Sequence, residues 1–143
     1  MKACFDTSTL VAALLQQHPH HAVAFPRLRA VKQGAVQGYL TTHGLAELFA
    51  TLTALPLKPR LLPRDVQRLI QKSVLSHFTL IPLGPQEYLD AIALTVANNL
   101  SNAAIYDALH LIGAKSAGCN ALYTLNLRHF QALAPGDSLV LPP

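Results

Sequence analysis

The chain has 143 residues, of which 51% are hydrophobic and 13% charged, a composition that excludes a disordered chain and predicts one globular domain over residues 1–143. Two cysteines exclude a disulfide-rich scaffold and favour a cytoplasmic location, and the apolar segments are too short to predict a signal peptide or a membrane partner. The net charge of +4 and the pI of 9.3 favour a polyanionic partner.

Short apolar runs alternate with segments of helical periodicity. In chain order the pattern predicts a strand at 2–5, helices at 7–16 and about 19–33, a strand at 39–42, a helix at 43–54, a helix from 63, a strand at 78–81, a helix at 85–98, a helix from Ser101 or Asn102 to about 118, a strand at 121–125, a helix at 128–133 and a weak strand at 138–141. This alternation indicates an α/β fold whose parallel sheet is covered by helices on both faces. In the helix at 85–98, the predicted core-facing stripe is Leu89, Ile92, Ala93 and Val96.

Three of the seven acidic residues lie in apolar contexts: Asp6, Glu47 and Asp107. Burying a charged carboxylate costs roughly several kcal/mol of folding free energy unless the group is protonated, paired or bound to a cation. Asp6 follows the first strand, at the edge where open α/β sheets bind ligands. The three acids therefore suggest a cluster around a cation.

Each acid also has an ordinary structural interpretation. Asp6 could equally cap the helix that follows it. Glu47 could lie on a solvated helix face, and Asp107 could be a core carboxylate whose hydrogen bonds are satisfied. If the acids do converge, the chemistry they support is phosphodiester hydrolysis assisted by Mg²⁺ or Mn²⁺, which prefer carboxylate oxygens. The spacing alone leaves these alternatives open.

Four segments carry a more specific pattern: DTSTLVAAL at 6–14, LAELFATLT at 45–53, IYDALH at 105–110, and LYTLN at 122–126 with Phe130 after it. Their order, their spacing and the length of the chain resemble PIN domains, in particular the VapC-like ribonuclease toxins of bacterial type II toxin–antitoxin systems. The resemblance implies a three-layer α/β/α fold with a parallel five-stranded sheet of order 3-2-1-4-5.

The resemblance also implies a site. Asp6, Glu47 and Asp107 would be the catalytic ligands of Mg²⁺ or Mn²⁺. Ser8 and Thr124 would orient those carboxylates through hydrogen bonds. The fourth acid of many PIN domains corresponds to Asn126, which keeps an oxygen but loses the charge, so the number of metals is open.

The implied function is that of a toxin that cleaves RNA, is neutralised by a small antitoxin and forms a homodimer. The antitoxin would insert a peptide into the acidic cleft or the groove beside it. One alternative is a non-catalytic or housekeeping PIN module that binds RNA or protein. A phosphotransferase that is phosphorylated on Asp6 ranks last, because the commonest pattern places a second acid where Ser8 stands.

Other polar residues have weaker patterns. Four basic residues are spaced four apart: Arg60, Arg64, Arg68 and Lys72. If one helix includes all four, they form a basic stripe that could follow an RNA backbone. A charged helix face exposed to solvent is an equally good interpretation. His18, His20 and His21 fit a polar loop. His43 and His110 lie one helical turn from Glu47 and Asp107, where they either line the cleft or pack against the core.

Overall fold

The computed structural model describes residues 1–143 and contains one parallel sheet. Its strands are β1 (Lys2–Phe5), β2 (Gln37–Thr41), β3 (Phe78–Ile81), β4 (Ala121–Tyr123) and β5 (Val140–Leu141). Their order is β3-β2-β1-β4-β5, and every neighbouring pair is parallel. The predicted strand order is therefore confirmed, with β1 at the centre.

Seven α-helices connect and cover the strands. They are α1 (Thr7–Leu14), α2 (His21–Lys32), α3 (Thr42–Ala54), α4 (Pro63–Ile70), α5 (Pro85–Ala97), α6 (Ala104–Ser116) and α7 (Leu127–Leu133). A π-helical turn over Gln71–Leu75 continues α4. All the predicted elements are present, and their ends differ from prediction by a few residues. No helix in the structure has both the length and the apolar character needed to span a bilayer.

Helices lie on both faces of the sheet because β1 is apolar on both sides. Ala3 and Phe5 belong to a core cluster with Leu10 of α1 and Leu48 of α3. Cys4, which points the other way, belongs to a second cluster with Leu111 of α6. The result is the expected three-layer α/β/α arrangement, with the carboxyl ends of the strands left open for a site.

The prediction for the core-facing side of α5 is wrong. Leu89, Ile92 and Val96 are 60%, 51% and 66% exposed, whereas Ala91 is completely buried. Helix α5 packs on α6 through Ala91, where a small side chain lets the two helices approach closely. Apolar residues lie on more than one face of α5, so hydrophobic periodicity alone did not identify the packed face, which also includes the partly buried Leu94.

Candidate active site

Asp6 lies directly after β1 and caps the first turn of α1. Its Oδ1 accepts hydrogen bonds from the Ser8 hydroxyl at 2.7 Å and the Thr9 backbone N–H at 2.9 Å, and its Oδ2 accepts one from the Thr124 hydroxyl at 2.6 Å. The capping interpretation of Asp6 is therefore correct. A carboxylate has about four acceptor positions, so three bonds leave Oδ2 with the capacity for one more partner.

Ser8 and Thr124 join Asp6 to the loop that follows β4. The Ser8 hydroxyl accepts a hydrogen bond from the backbone N–H of Leu125 at 3.0 Å, and the Thr124 hydroxyl accepts one from Asn126 at 2.9 Å. The two hydroxyls therefore fix the direction of the Asp6 carboxylate. The Asn126 side chain makes no capping bond to α7 and lines an open cavity together with Ser8.

Glu47, on α3, faces two histidines. Nε2 of His110 lies 2.8 Å from Oε1 of Glu47, and Nε2 of His43 lies 3.0 Å from the same oxygen. The His110 contact is an aligned hydrogen bond, whereas Nε2 of His43 is buried with no aligned partner. His110, only 1% exposed, therefore packs in the core behind Glu47, and the partly exposed His43 lies beside it. Of the two alternatives that the sequence left open, core packing holds for His110. Glu47 remains 30% exposed.

Two close approaches hold the His110 ring in place. A Cβ atom on Gly44 of α3 would lie 2.9 Å from Cε1 of His110, and a Cβ on Gly113 of α6 would lie 2.6 Å from Cγ2 of Thr41. The Thr41 hydroxyl lies 3.4 Å from Nδ1 of His110 and accepts the Gly44 backbone N–H at 2.9 Å. The absence of side chains at these two glycines therefore lets α3, α6 and β2 meet around His110.

Asp107 lies in the first turn of α6 and borders solvent. Oδ2 of Asp107 is 3.4 Å from Nδ1 of His129, and 18% of the Asp107 side chain is exposed. The expectation that this carboxylate points into largely apolar surroundings is therefore only half right. Its neighbours four residues along the helix are apolar, but the side chain reaches a cavity that Arg128 and His129 also line.

The charges of Asp6 and Glu47 act on Asp107. Burial raises the pKa of Asp107 above its ordinary value, and the negative charges of Asp6 and Glu47 raise it further against the opposing effect of His110 and His129. Burial also raises the pKa of Glu47, but His110 and, to a smaller extent, His43 together outweigh this and leave the pKa below its ordinary value. Burial lowers the pKa of His43, against the charge of Glu47.

The donor set fits a hard divalent cation. No group of three or more His, Cys, Asp or Glu side chains is arranged to hold a metal ion as the side chains stand. Even so, Asp6 retains a free acceptor position, Glu47 is bonded only through Oε1, and Asp107 bears the repulsion of both other acids. Carboxylate oxygens whose charges repel one another are suited to Mg²⁺ or Mn²⁺, which would relieve that repulsion.

Two cavities border the acids. One, of about 490 Å³, is lined by Ser8, Glu47 and Asn126 together with His18 and His20. The other, of about 400 Å³, lies on the side of Asp107. The sequence analysis did not point to Arg128 or His129, although they lie two and three residues after the LYTLN segment.

The predicted basic stripe does not form a continuous helical face. Helix α4 begins at Pro63, so Arg60 lies outside it, and Lys72 belongs to the π-helical turn. All four side chains are exposed, and none lines either cavity beside the acids. A role for them in RNA binding stays a prediction.

A family model for the PIN domain matches residues 2–128. The chain belongs to the PIN domain family. No curated protein sequence gave a match.

Solved structures share the PIN fold of this chain at low sequence identity. The sarcin-ricin loop cleaving toxin VapC20 of Mycobacterium tuberculosis has a TM-score of 0.71 and 17% identity, covering 91% of this chain and 94% of its own. FitAcB of Neisseria gonorrhoeae has a TM-score of 0.69 and 18% identity, covering 99% and 97%. A toxin–antitoxin complex from Klebsiella pneumoniae has a TM-score of 0.66 and 22% identity, also covering 99% and 97%. These similarities confirm the fold.

Proposed function

We propose that this PIN domain is an endoribonuclease that depends on Mg²⁺ or Mn²⁺ and acts as the toxin of a type II toxin–antitoxin pair. The observation that carries the proposal is the placement of three carboxylates near the open end of the sheet: Asp6 directly after β1, Glu47 on α3 and Asp107 on α6, with the other two close enough to raise the pKa of Asp107. A cation would relieve this repulsion of Asp107. The positive net charge supports a polyanionic substrate.

Each residue has a defined part in the proposed reaction. Ser8 and Thr124 hold the carboxylate of Asp6 in one direction, and His110 does the same for Glu47. Asp107 adds a third negative oxygen ligand from α6. When bound, Mg²⁺ or Mn²⁺ supplies Lewis acidity and lowers the pKa of a bound water, which makes the nucleophile. These hydrogen bonds hold Asp6 and Glu47 in defined directions toward the site.

The fold similarities also support partners. The Klebsiella pneumoniae structure is a toxin–antitoxin complex, and a second similar structure is VapBC2 of Rickettsia felis bound to a DNA fragment from their promoter. We therefore expect a small cognate antitoxin, a homodimeric toxin and a cytoplasmic location. Expression of the chain with and without the adjacent reading frame tests the antitoxin. Growth arrest relieved by the co-expressed product is the expected result.

The chemistry is tested with purified protein and a fluorescently labelled single-stranded RNA. We expect cleavage with Mg²⁺ or Mn²⁺, none with EDTA, and none from Asp6→Asn or Asp107→Asn. Asp90→Asn, an exposed acid on α5, is the matched control and should cleave as the wild type does. Cleavage that persists in EDTA would contradict the metal requirement. Full activity in both site variants would show that Asp6 and Asp107 are not needed for cleavage, and no cleavage by the wild type with either metal would favour a non-catalytic module.

A further inference from the structure

We propose that the cavity beside Asp107 is a phosphate-binding subsite for the RNA strand, in which Arg128 contacts a phosphate next to the one that is cleaved. This inference rests on the proposed ribonuclease function and adds a specific substrate contact to it. The cavity is defined by Leu100, Ser101, Ala103, Ala104, Asp107, Arg128, His129 and Ala132.

The position of Arg128 supports this contact. Arg128 is the second residue of α7, and the next residue, His129, reaches Asp107 with Nδ1 at 3.4 Å from Oδ2. This contact ties the start of α7 to α6 at the acidic site. The backbone of Arg128 is therefore held at the wall of the cavity that Asp107 also lines.

The charge of Arg128 is not used within the protein. No arginine pairs with a carboxylate: Lys115 pairs with Asp137, and the other close contacts of carboxylates are with the histidines His43, His110 and His129. An arginine placed to stabilise the fold would make a two-pronged contact with the carboxylate in its own cavity. Here His129 takes that position on Asp107, and the guanidinium stays available for an anion.

The two cavities differ in charge. Arg128 is the only lysine or arginine that lines either of them. The cavity with Glu47 and Asn126 is lined by His18 and His20, and burial together with the neighbouring histidines lowers the pKa of His18. An RNA strand bound across the acidic site would therefore meet a permanent positive charge only in the cavity lined by Asp107. A planar guanidinium is well suited to phosphate oxygens.

The subsite is tested by RNA binding in EDTA, where no cleavage interferes. Binding of a labelled single-stranded RNA is followed by fluorescence anisotropy at several salt concentrations. The proteins are the wild type, Arg128→Gln, Arg128→Lys and Arg29→Gln. Arg29 is an exposed arginine on α2 that lines neither cavity, so its variant has the same net charge as Arg128→Gln.

We expect Arg128→Gln to weaken binding roughly fivefold and to reduce the slope of log K against log salt by about 0.7, the loss of one single-strand phosphate contact. Arg128→Lys should retain most of the binding, and Arg29→Gln should keep the wild-type slope. In cleavage assays Arg128→Gln should raise KM with kcat unchanged, because the contact is made before the reaction.

Equal losses in Arg128→Gln and Arg29→Gln would overturn the subsite, since they would reflect net charge alone. Wild-type binding by Arg128→Gln would overturn it as well. In both cases the wild type still binds and cleaves RNA, so the proposed function stands. If the wild type neither binds nor cleaves RNA, the proposed function fails and the subsite fails with it. Circular dichroism checks that each variant is folded.

Discussion

Nε2 of His110 lies 2.8 Å from Oε1 of Glu47, although the two residues are 63 positions apart in the sequence. His110 is 1% exposed, so this hydrogen bond is made from inside the core to a carboxylate at the surface of the site. A carboxylate only accepts hydrogen bonds, so Nε2 of His110 donates to Glu47. His110 thereby fixes the side chain of Glu47, and Nδ1 on the other side of the ring lies 3.4 Å from the Thr41 hydroxyl.

We predict that His110→Leu weakens Mn²⁺ binding to the folded protein by about 10- to 100-fold, the usual loss when a residue that orients a metal ligand is removed. The reason is that Glu47 loses its aligned donor and turns toward solvent. His110→Gln, whose amide can still donate, should recover part of the affinity. Titration of Mn²⁺ followed by electron paramagnetic resonance measures the dissociation constant directly.

The control for that experiment is His77→Leu, which removes an exposed histidine in the turn before β3. It should bind Mn²⁺ as the wild type does. If His110→Leu also keeps the wild-type affinity, the ring is a packing element and has no influence on Glu47. Thermal unfolding of each variant in EDTA separates a loss of affinity from a loss of fold.

Gly44 provides a second test of the same contact. Replacing a glycine within a helix by alanine normally stabilises a protein by up to about 1 kcal/mol. Here the new Cβ would lie 2.7 Å from Cδ1 of Leu40 and 2.9 Å from Cε1 of His110. We therefore predict that Gly44→Ala destabilises the fold by about 1–3 kcal/mol, as overpacking does, measured by urea unfolding. Increased stability would show that the His110 ring moves freely.

Local patterns predicted the elements and the parallel α/β class, whereas the strand order followed from the family resemblance. Each strand is a short apolar run, and β1 carries apolar residues on both faces, which is typical of a central parallel strand. Asp6 directly follows this strand, so its place at the carboxyl edge of the sheet was predictable as well. The contacts of Ser8 and Thr124 with Asp6 followed from the family resemblance.

The supporting contacts of the site could not be read in the same way. The bond between His110 and Glu47 depends on how α3 and α6 pack, and two glycines determine that approach. Arg128 follows a recognised segment, but only the folded chain brings it into the cavity of Asp107. The packed side of α5 was misassigned because apolar residues lie on more than one face of this helix, and periodicity alone does not choose between the exposed Ile92 and Val96 and the packed Ala91 and Leu94.

The exposed side of α5 leads to a prediction about stability. Ile92 and Val96 are more than half exposed, so Ile92→Ser and Val96→Thr should each change the free energy of unfolding by no more than about 0.5 kcal/mol. In contrast, Ala91→Leu places a large side chain where none fits and should cost about 1–3 kcal/mol. Urea unfolding at low protein concentration compares the three. A large loss in Ile92→Ser would show that this side is covered in solution.

A pH dependence follows from the pair formed by Lys115 and Asp137. The hydrogen bond from Lys115 and that from the backbone N–H of Leu139 hold the pKa of Asp137 below its ordinary value of 3.8. The resulting stabilisation is present above pH 3.8 and is lost as the pH falls through the lowered pKa. Lys115 is half exposed, so Lys115→Met should cost less than about 1 kcal/mol at pH 7, and the difference from wild type should shrink toward pH 3. A difference that grows on acidification would contradict this pairing.

Removal of one repelling carboxylate should stabilise the metal-free protein. Burial, Asp6 and Glu47 all disfavour the charged form of Asp107 and raise its pKa. We therefore predict that, at pH 7 in EDTA, Asp107→Asn raises the free energy of unfolding by on the order of 1 kcal/mol. The exposed Asp90→Asn should leave it unchanged. With Mn²⁺ at about 100 times its dissociation constant the order should reverse, because binding stabilises the wild type by about 2.7 kcal/mol and the variant by much less. Thermal unfolding with and without Mn²⁺ measures both effects. Equal stabilisation of the two proteins by Mn²⁺ would show that Asp107 does not bind the metal.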